Sequence, residues 1–364
     1  DAHLNSIGTT NANTINLNTL AWIHSQAGST VTYSTLNWTG GIVQDNGGTM
    51  ALISGGGDLV VPVGSTLIGN TPRTFTNLTI NGTLTHDANG TSPDYKVNYT
   101  ISNNFIVPAG GQINLDYKGY AGGEGPGAGV DGDDGAGGGG YGGDGGRGQG
   151  RLGGVAYGDQ YAPDGLGSGG GIRSGGYINP GGGAIKLTVG NTATINGTIS
   201  ANGAYGGGDE RISGGGSGGS IWIVTNILEG NGIVRANGGN TRDVNYDGGG
   251  GGGGRIALYY NTDSSTFTTL SAKGGKPLVL TQPTNAQMGG AGTIYKKLAT
   301  VPNGDLIIDN QEGSWFPAID TIAKTPLTNN LTINNLTIDR FARVDYSSIL
   351  NVISVLNVTN GGHL

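Results

Sequence analysis

Cysteine is absent from all 364 residues, which excludes a disulfide framework and a thiolate metal site. Methionine (2 residues) and phenylalanine (5) are scarce, so a core must be built chiefly from Ile, Leu and Val. Charged residues make up only 12%, about half the usual share. No Lys/Arg cluster exceeds two residues and the net charge is −7, which makes nucleic acid and anionic membranes poor partners. No run of 18 apolar residues exists, so no membrane span is expected. No basic-plus-apolar leader precedes Asp1, so an exported chain would already have shed it. Apolar residues at helical spacing are missing as well. They alternate instead, as in Thr79-Ile80-Asn81-Gly82-Thr83-Leu84-Thr85, which predicts an all-β chain.

What is present is glycine, 77 residues of it, organised around a phrase that recurs through 184–298. It reads GGGA-Ile185-Lys186-Leu187, GGS-Ile221-Trp222-Ile223 and GGR-Ile256-Ala257-Leu258, and closes with AGT-Ile294-Tyr295. The leading isoleucines lie 36, 35 and 38 residues apart. A second phrase sits between them: Ile199-Ser200-Ala201-Asn202-Gly203, Val234-Arg235-Ala236-Asn237-Gly238 and Leu270-Ser271-Ala272-Lys273-Gly274. A fixed period of about 36 residues marks a repeat that buries its apolar face only by stacking on its neighbours. The predicted fold is therefore a parallel β-helix, or β-solenoid.

Residues 1–118 form the first unit, with strands expected at Thr14–Leu20, Thr30–Trp38, Met50–Ile53, Leu59–Val63, Phe75–Ile80, Asn98–Ile106 and Gln112–Tyr117. A sandwich or barrel has similar spacing. The β-helix is favoured because Gln112-Ile113-Asn114-Leu115 is an early copy of the second phrase. A long insertion, 119–183, then interrupts the repeat, with 31 glycines in 65 residues. Such a loop is functional or disordered.

Every Gly-rich run (119–183, 203–219, 237–254, 273–292) leaves after the second phrase and returns at Gly-Gly-x-Ile. Insertions at equivalent points leave one corner of a solenoid and stack. Glycine tracts so placed can form extended polyproline-II-like (polyglycine-II) helices that hydrogen-bond backbone to backbone. A disordered linker is the alternative. Residues 299–364 return to ordinary strands, including Asn330-Leu331-Thr332-Ile333 and Leu350–Val358. No cap is evident at either end, so a fragment, or a subunit covered by neighbours, is expected.

His3, His24, His86 and His363 stand far apart, so a zinc site is not expected. Calcium is the cation the sequence invites, through Asp131, Asp133 and Asp134 among glycines, with Asp144 in a Gly-Gly-x-Gly-Gly-Asp turn. A solvated acidic turn is the plainer reading. The repeat strands carry Lys186, Trp222 and Ala257 at equivalent positions without an acid among them, and Asp209, Glu210, Asp243 and Asp247 lie in Gly-rich loops. Paired carboxylates at a glycosidase's spacing are thus not indicated, and no catalytic residue is named. The candidate contact residues are the tyrosines of the Gly-rich runs: Tyr120, Tyr141, Tyr157, Tyr161, Tyr177, Tyr205 and Tyr246. Each offers a flat face and a hydroxyl for a sugar or a protein. Otherwise each simply covers bare glycine backbone.

The Thr/Asn-rich coils, the Leu-x-Val-Thr-Asn-Gly-Gly ending (356–362) and the Ile-x-Gly-x-Ile-Ser-Ala-Asn-Gly phrase (195–203) carry a resemblance. The chain resembles the repetitive β-helical stalks of large microbial surface adhesins, which are similar to haemagglutinin-like exoproteins and autotransporter passengers. Its Gly tracts resemble those of phage tail-fibre tip adhesins, where stacked polyglycine helices present recognition loops. The resemblance implies an extracellular or cell-surface module, adhesive or filament-forming, whose partners are a surface glycan, a protein or further copies of itself. A polysaccharide-degrading enzyme on the same scaffold is the alternative.

Overall fold

The computed structural model describes residues 2–173, 178–207, 213–241, 248–277, 286–310, 322–327 and 330–364. Its centre is a right-through stack of three-sided rungs. One side holds β8 (Ser65–Gly69), β11 (Thr83–Thr85), β14 (Gln112–Asn114), β17 (Thr198–Ser200), β20 (Ile233–Arg235) and β23 (Thr269–Ser271). A second holds β7 (Leu59–Val61), β10 (Leu78–Ile80), β13 (Phe105–Val107), β16 (Thr192–Ile195), β19 (Ile227–Glu229) and β22 (Thr262–Asp263). A third holds β9 (Arg73–Phe75), β12 (Val97–Ile101), β15 (Ala184–Val189), β18 (Ser220–Val224), β21 (Arg255–Tyr260) and β24 (Thr293–Leu298). These strands pair in parallel within each sheet, as a coiled chain requires.

The repeat phrases are register columns. Ile185, Ile221, Ile256 and Ile294 pair in succession on the third sheet. Leu84, Ile113, Ile199, Val234 and Leu270 do so on the first. Side chains alternate across a strand, so each column points inward, and apart from the half-buried Leu270 these are nearly or fully buried. Each is worth roughly 1.5–3 kcal/mol of burial. Phe75 and Tyr99 meet edge to face at 5.3 Å in the same core.

Corners are held by amides. Between the third and second sheets, Asn77 Oδ1 accepts from Asn103 Nδ2 at 2.9 Å, Asn104 Oδ1 from Asn191 Nδ2 at 3.0 Å, and Asn226 Oδ1 from Asn261 Nδ2 at 2.8 Å. These corners divide two expected strands: Phe75–Ile80 breaks after Phe75 and Asn98–Ile106 after Ile101. Where the first sheet gives way to glycine, Asn202 N donates to Asp116 Oδ1 (2.7 Å), Asn237 N to Asn202 Oδ1 (2.9 Å) and Lys273 N to Asn237 Oδ1 (3.0 Å). That ladder is the physical content of the Ala-Asn-Gly phrase.

The two ends are two-sided. β1 (Ala2–Ser6), β3 (Ala21–Gln26) and β5 (Gly41–Asn46) extend the first sheet, opposed by β2 (Thr9–Leu17), β4 (Thr30–Trp38) and β6 (Thr49–Met50). The strand expected at Met50–Ile53 is instead largely a helical turn, α1 (Ala51–Ser54), where two sides become three. Buried Asp45 braces this junction by accepting from Arg73 Nε at 2.6 Å. After β24 the chain reverses: β25 (Asp305–Asp309) pairs antiparallel with it. Parallel coiling then resumes through β27 (Leu331–Asp339) and β29 (Leu350–Val358), with β26 (Thr325–Leu327) and β28 (Val344–Tyr346) as the other side.

Candidate functional site

All the Gly-rich runs leave at the corner between the first and third sheets, and their described residues pack into one bundle. Its pattern is clearest in 249–254. Gly249 and Gly252 donate to Ala136 and Gly139, Gly250 and Gly253 to Gln287 and Gly290, and Gly251 and Gly254 to Gly239 and Ala236, at 2.7 to 3.0 Å. The partner changes with every residue and returns on the third, as three residues per turn demands. The tract also accepts from Gly215 and Gly218, from Gly146 and from Gly275. It is therefore surrounded on all sides by backbone. Tract 214–219 repeats the rule, donating in turn to the 168–171, 249–252 and 201–204 carbonyls.

The insertion is part of this lattice. Gly138 donates to Gly146, Gly139 to Gly215, Gly140 to Gly127 and Gly171 to Gly137, at 2.7 to 2.9 Å. The linker alternative is thereby overturned for its described residues. Glycine is required here for approach, not for torsion, since the 249–254 residues avoid positive φ. A Cβ on Gly252 would lie well inside 3.0 Å of the Gly143 carbonyl oxygen, and one on Gly253 equally close to that of Ala272.

Side chains fasten the bundle at two points. Arg255 is buried and opens β21, in register with Ser220 and Thr293. Its Nε and Nη2 donate to the Tyr157 carbonyl at 3.0 and 2.9 Å, and its Nη1 to Thr293 Oγ1 at 3.1 Å. Burial pulls its pKa down, with the Tyr141 ring facing the guanidinium at 5.6 Å. The second point is His86, fully buried, whose Nε2 accepts from Ala184 N at 3.2 Å while Nδ1 lies 2.7 Å from the Asp87 carbonyl. These partners assign the proton to Nδ1, and burial lowers the pKa to about 4.

The predicted tyrosines divide. Tyr141 is a correction: it is fully buried, meets Tyr157 edge to face at 4.9 Å, and is covered by Gly158 and Gly165, so it presents no face to a partner. Burial raises its pKa to about 12. Tyr157 is half-buried; its hydroxyl donates to the Leu166 carbonyl at 2.5 Å and accepts from Ser168 Oγ at 2.9 Å. Tyr120 is half-buried beside Gly125. Tyr161 packs on Tyr295 at 4.8 Å outside the third sheet, and its carbonyl accepts from Tyr259 Oη at 2.7 Å. Tyr205 is exposed on the bundle, while Tyr177 and Tyr246 lie outside the described residues. Tyr117, just before the first glycine of the insertion and so outside the Gly-run pattern, is half exposed at φ 63°.

The calcium reading finds no geometry. Among the described residues, no three His, Cys, Asp or Glu side chains gather to hold a metal ion. Asp131 Oδ1 instead accepts from Ile172 N at 2.8 Å, and Asp133 and Asp134 are exposed. Asp144 lies on the bundle's flank, accepting from Ala156 N at 2.7 Å, with its pKa raised by burial. The hard-cation site predicted from Asp131, Asp133, Asp134 and Asp144 is not assembled. Asp209, Glu210, Asp243 and Asp247 lie outside the described residues.

At its far end the bundle carries one more ladder: Gly206 bridges Thr241, and Thr241 bridges Pro277, both in parallel. Gly206, Thr241 and Pro277 thus lie side by side, and the segments 208–212, 242–247 and 278–285 lie outside the described residues. No helix among the described residues is long and apolar enough to cross a membrane. No protein-family model, curated protein or solved structure matches the chain.

Proposed function

We propose that this chain is an extracellular structural and adhesive module, in which a β-helical rod carries a glycine bundle that presents recognition segments to a glycan or protein surface. The Gly206–Thr241–Pro277 ladder carries this reading. It sets Gly206, Thr241 and Pro277 of three successive Gly runs side by side on a backbone lattice. Such a lattice loses little entropy on binding, which favours preorganised recognition. Their composition suits contact better than packing: Tyr246 and charged Asp209, Glu210, Arg211, Arg242, Asp243 and Asp247 occupy them.

The test replaces 208–212, 242–247 and 278–285 with Gly-Ser segments of equal length. Wild-type and variant proteins are then compared on a glycan array and by electron microscopy of the purified protein. Array binding or ordered fibres that vanish in the variant, with melting temperature unchanged, is the expected result. Release of reducing ends from a polysaccharide would instead assign the scaffold to an enzyme.

A further inference from the structure

Outside the third sheet, Asn98, Lys186 and Trp222 form one register column on β12, β15 and β18. Neighbouring strands are about 4.8 Å apart, so the three side chains make a continuous strip along the rod. A cleft of about 310 Å³ lies over this strip, lined also by Asn70, Asp94, Lys96 and Asp164. That volume is at the small end of ligand sites. The insertion supplies one wall: Asp164 follows Tyr161, whose ring is seated on Tyr295 next to small Ala257 in the same column. Lys96 Nζ joins the walls by donating to the Asp164 carbonyl at 3.0 Å, with the Asp164 carboxylate at 3.8 Å.

Several polar groups in this cleft are left unspent. The Lys186 ammonium rests 3.9 Å from the Trp222 ring centroid, with no carboxylate or hydrogen-bond acceptor from the described protein. Asp94 and Asn98 are exposed, and among the described residues no side-chain partner engages either. The Lys96–Asp164 pair cancels its own charge. Among the described residues, the remainder is one free cation on an indole face, one free carboxylate and one free amide. A lysine held on an aromatic ring is weakly tethered and can move to an arriving anion, baring the indole face. Asp94 at the rim opposes a dense polyanion such as a nucleic acid.

We propose that this cleft binds a sugar ring bearing a carboxylate, within an acidic polysaccharide. Lys186 takes the carboxylate, the Trp222 indole packs against the C–H face of the ring, and Asp94 and Asn98 hydrogen-bond its hydroxyls. The site is separate from the segments of the adhesive reading and does not depend on them.

Calorimetric titration of the full chain with galacturonic, glucuronic and mannuronic oligosaccharides, and with their carboxyl-reduced counterparts, tests this. Wild type should bind at least one acidic oligosaccharide, and Lys186→Met should weaken that binding at least tenfold without lowering the melting temperature. Carboxyl reduction of the ligand should weaken wild type similarly and Lys186→Met hardly at all. Trp222→Phe should weaken both forms of the ligand. The Gly-Ser variant should bind as wild type does, even if it has lost array binding. No binding by any acidic oligosaccharide, equal affinity for acidic and reduced forms, an unaffected Lys186→Met, or loss in the Gly-Ser variant would each overturn the proposal.

Discussion

The rod and the bundle share four successive rungs yet cohere by opposite means. In the rod, inward Ile, Leu and Val columns exclude water and the backbone ladders follow. In the bundle, tracts such as 249–254 have almost no side chains, and the backbone itself is the packing surface. The first arrangement needs volume inside; the second needs its absence. One chain satisfies both because the Asp116–Asn202–Asn237 amide ladder fixes where each rung changes from one regime to the other.

The sharpest way to break this contrast is a pair of opposite substitutions. Leu187→Ala in the rod should cost about 2–5 kcal/mol by leaving a cavity. Gly252→Ala should cost about 1–3 kcal/mol or more by adding one methyl group against the Gly143 carbonyl. Gly90→Ala has nothing within 4 Å of the new Cβ, and should be neutral or stabilise by about 0.4–1 kcal/mol. Thermal unfolding measures all three. A harmless Gly252→Ala would mean that the tracts are not packed as described.

A comparable effect is expected from acid, at the joint between the regions. The unfolded chain's histidine has an ordinary pKa near 6.5, whereas buried His86 is held down at about 4. Between those values the unfolded state binds the extra proton, so stability rises with pH through that window. It should be undiminished above about pH 6.5 and fall by on the order of 3 kcal/mol as the pH drops to about 4. His86→Gln should flatten the profile of melting temperature against pH; an unchanged slope would remove His86 as its source.

A smaller effect should come from Arg255→Met, which leaves the Tyr157 carbonyl without its two donors. A loss of about 1–3 kcal/mol is expected. It should be concentrated in the insertion, so hydrogen exchange should quicken through 137–146 before it does in β15 or β18. Uniform quickening would show that rod and bundle unfold as one unit.

Much of this was legible because solenoid columns are written at a fixed interval. Ile185, Ile221, Ile256 and Ile294 announced one face, and Ile113 with Ile199 and Val234 another. The corner used by the Gly runs followed from the recurring Ala-Asn-Gly. Features with no period were hidden. Met50–Ile53 looks like a strand because α1 is a single turn with buried Ile53, too short for helical spacing to register. Tyr141 looks like Tyr205 in the sequence; only the fold of the tracts around it puts one inside and the other out. Arg255 did leave a trace, replacing the Ala184, Ser220 and Thr293 of its register, but its acceptor at Tyr157 is 98 residues away. The cleft at Trp222 needs a wall from Asp164, which no local pattern connects to β18.

The lattice around 249–254 also imposes an order of events on a chain made from its N-terminus. Gly139 is translated well over a hundred residues before Gly252, the donor that will occupy its carbonyl. At about 5–20 residues per second, the first half of the bundle stays solvated for on the order of ten seconds before its partners exist. Tracts without bulky side chains are suited to that interval, because they offer little apolar surface on which to collapse wrongly while they wait.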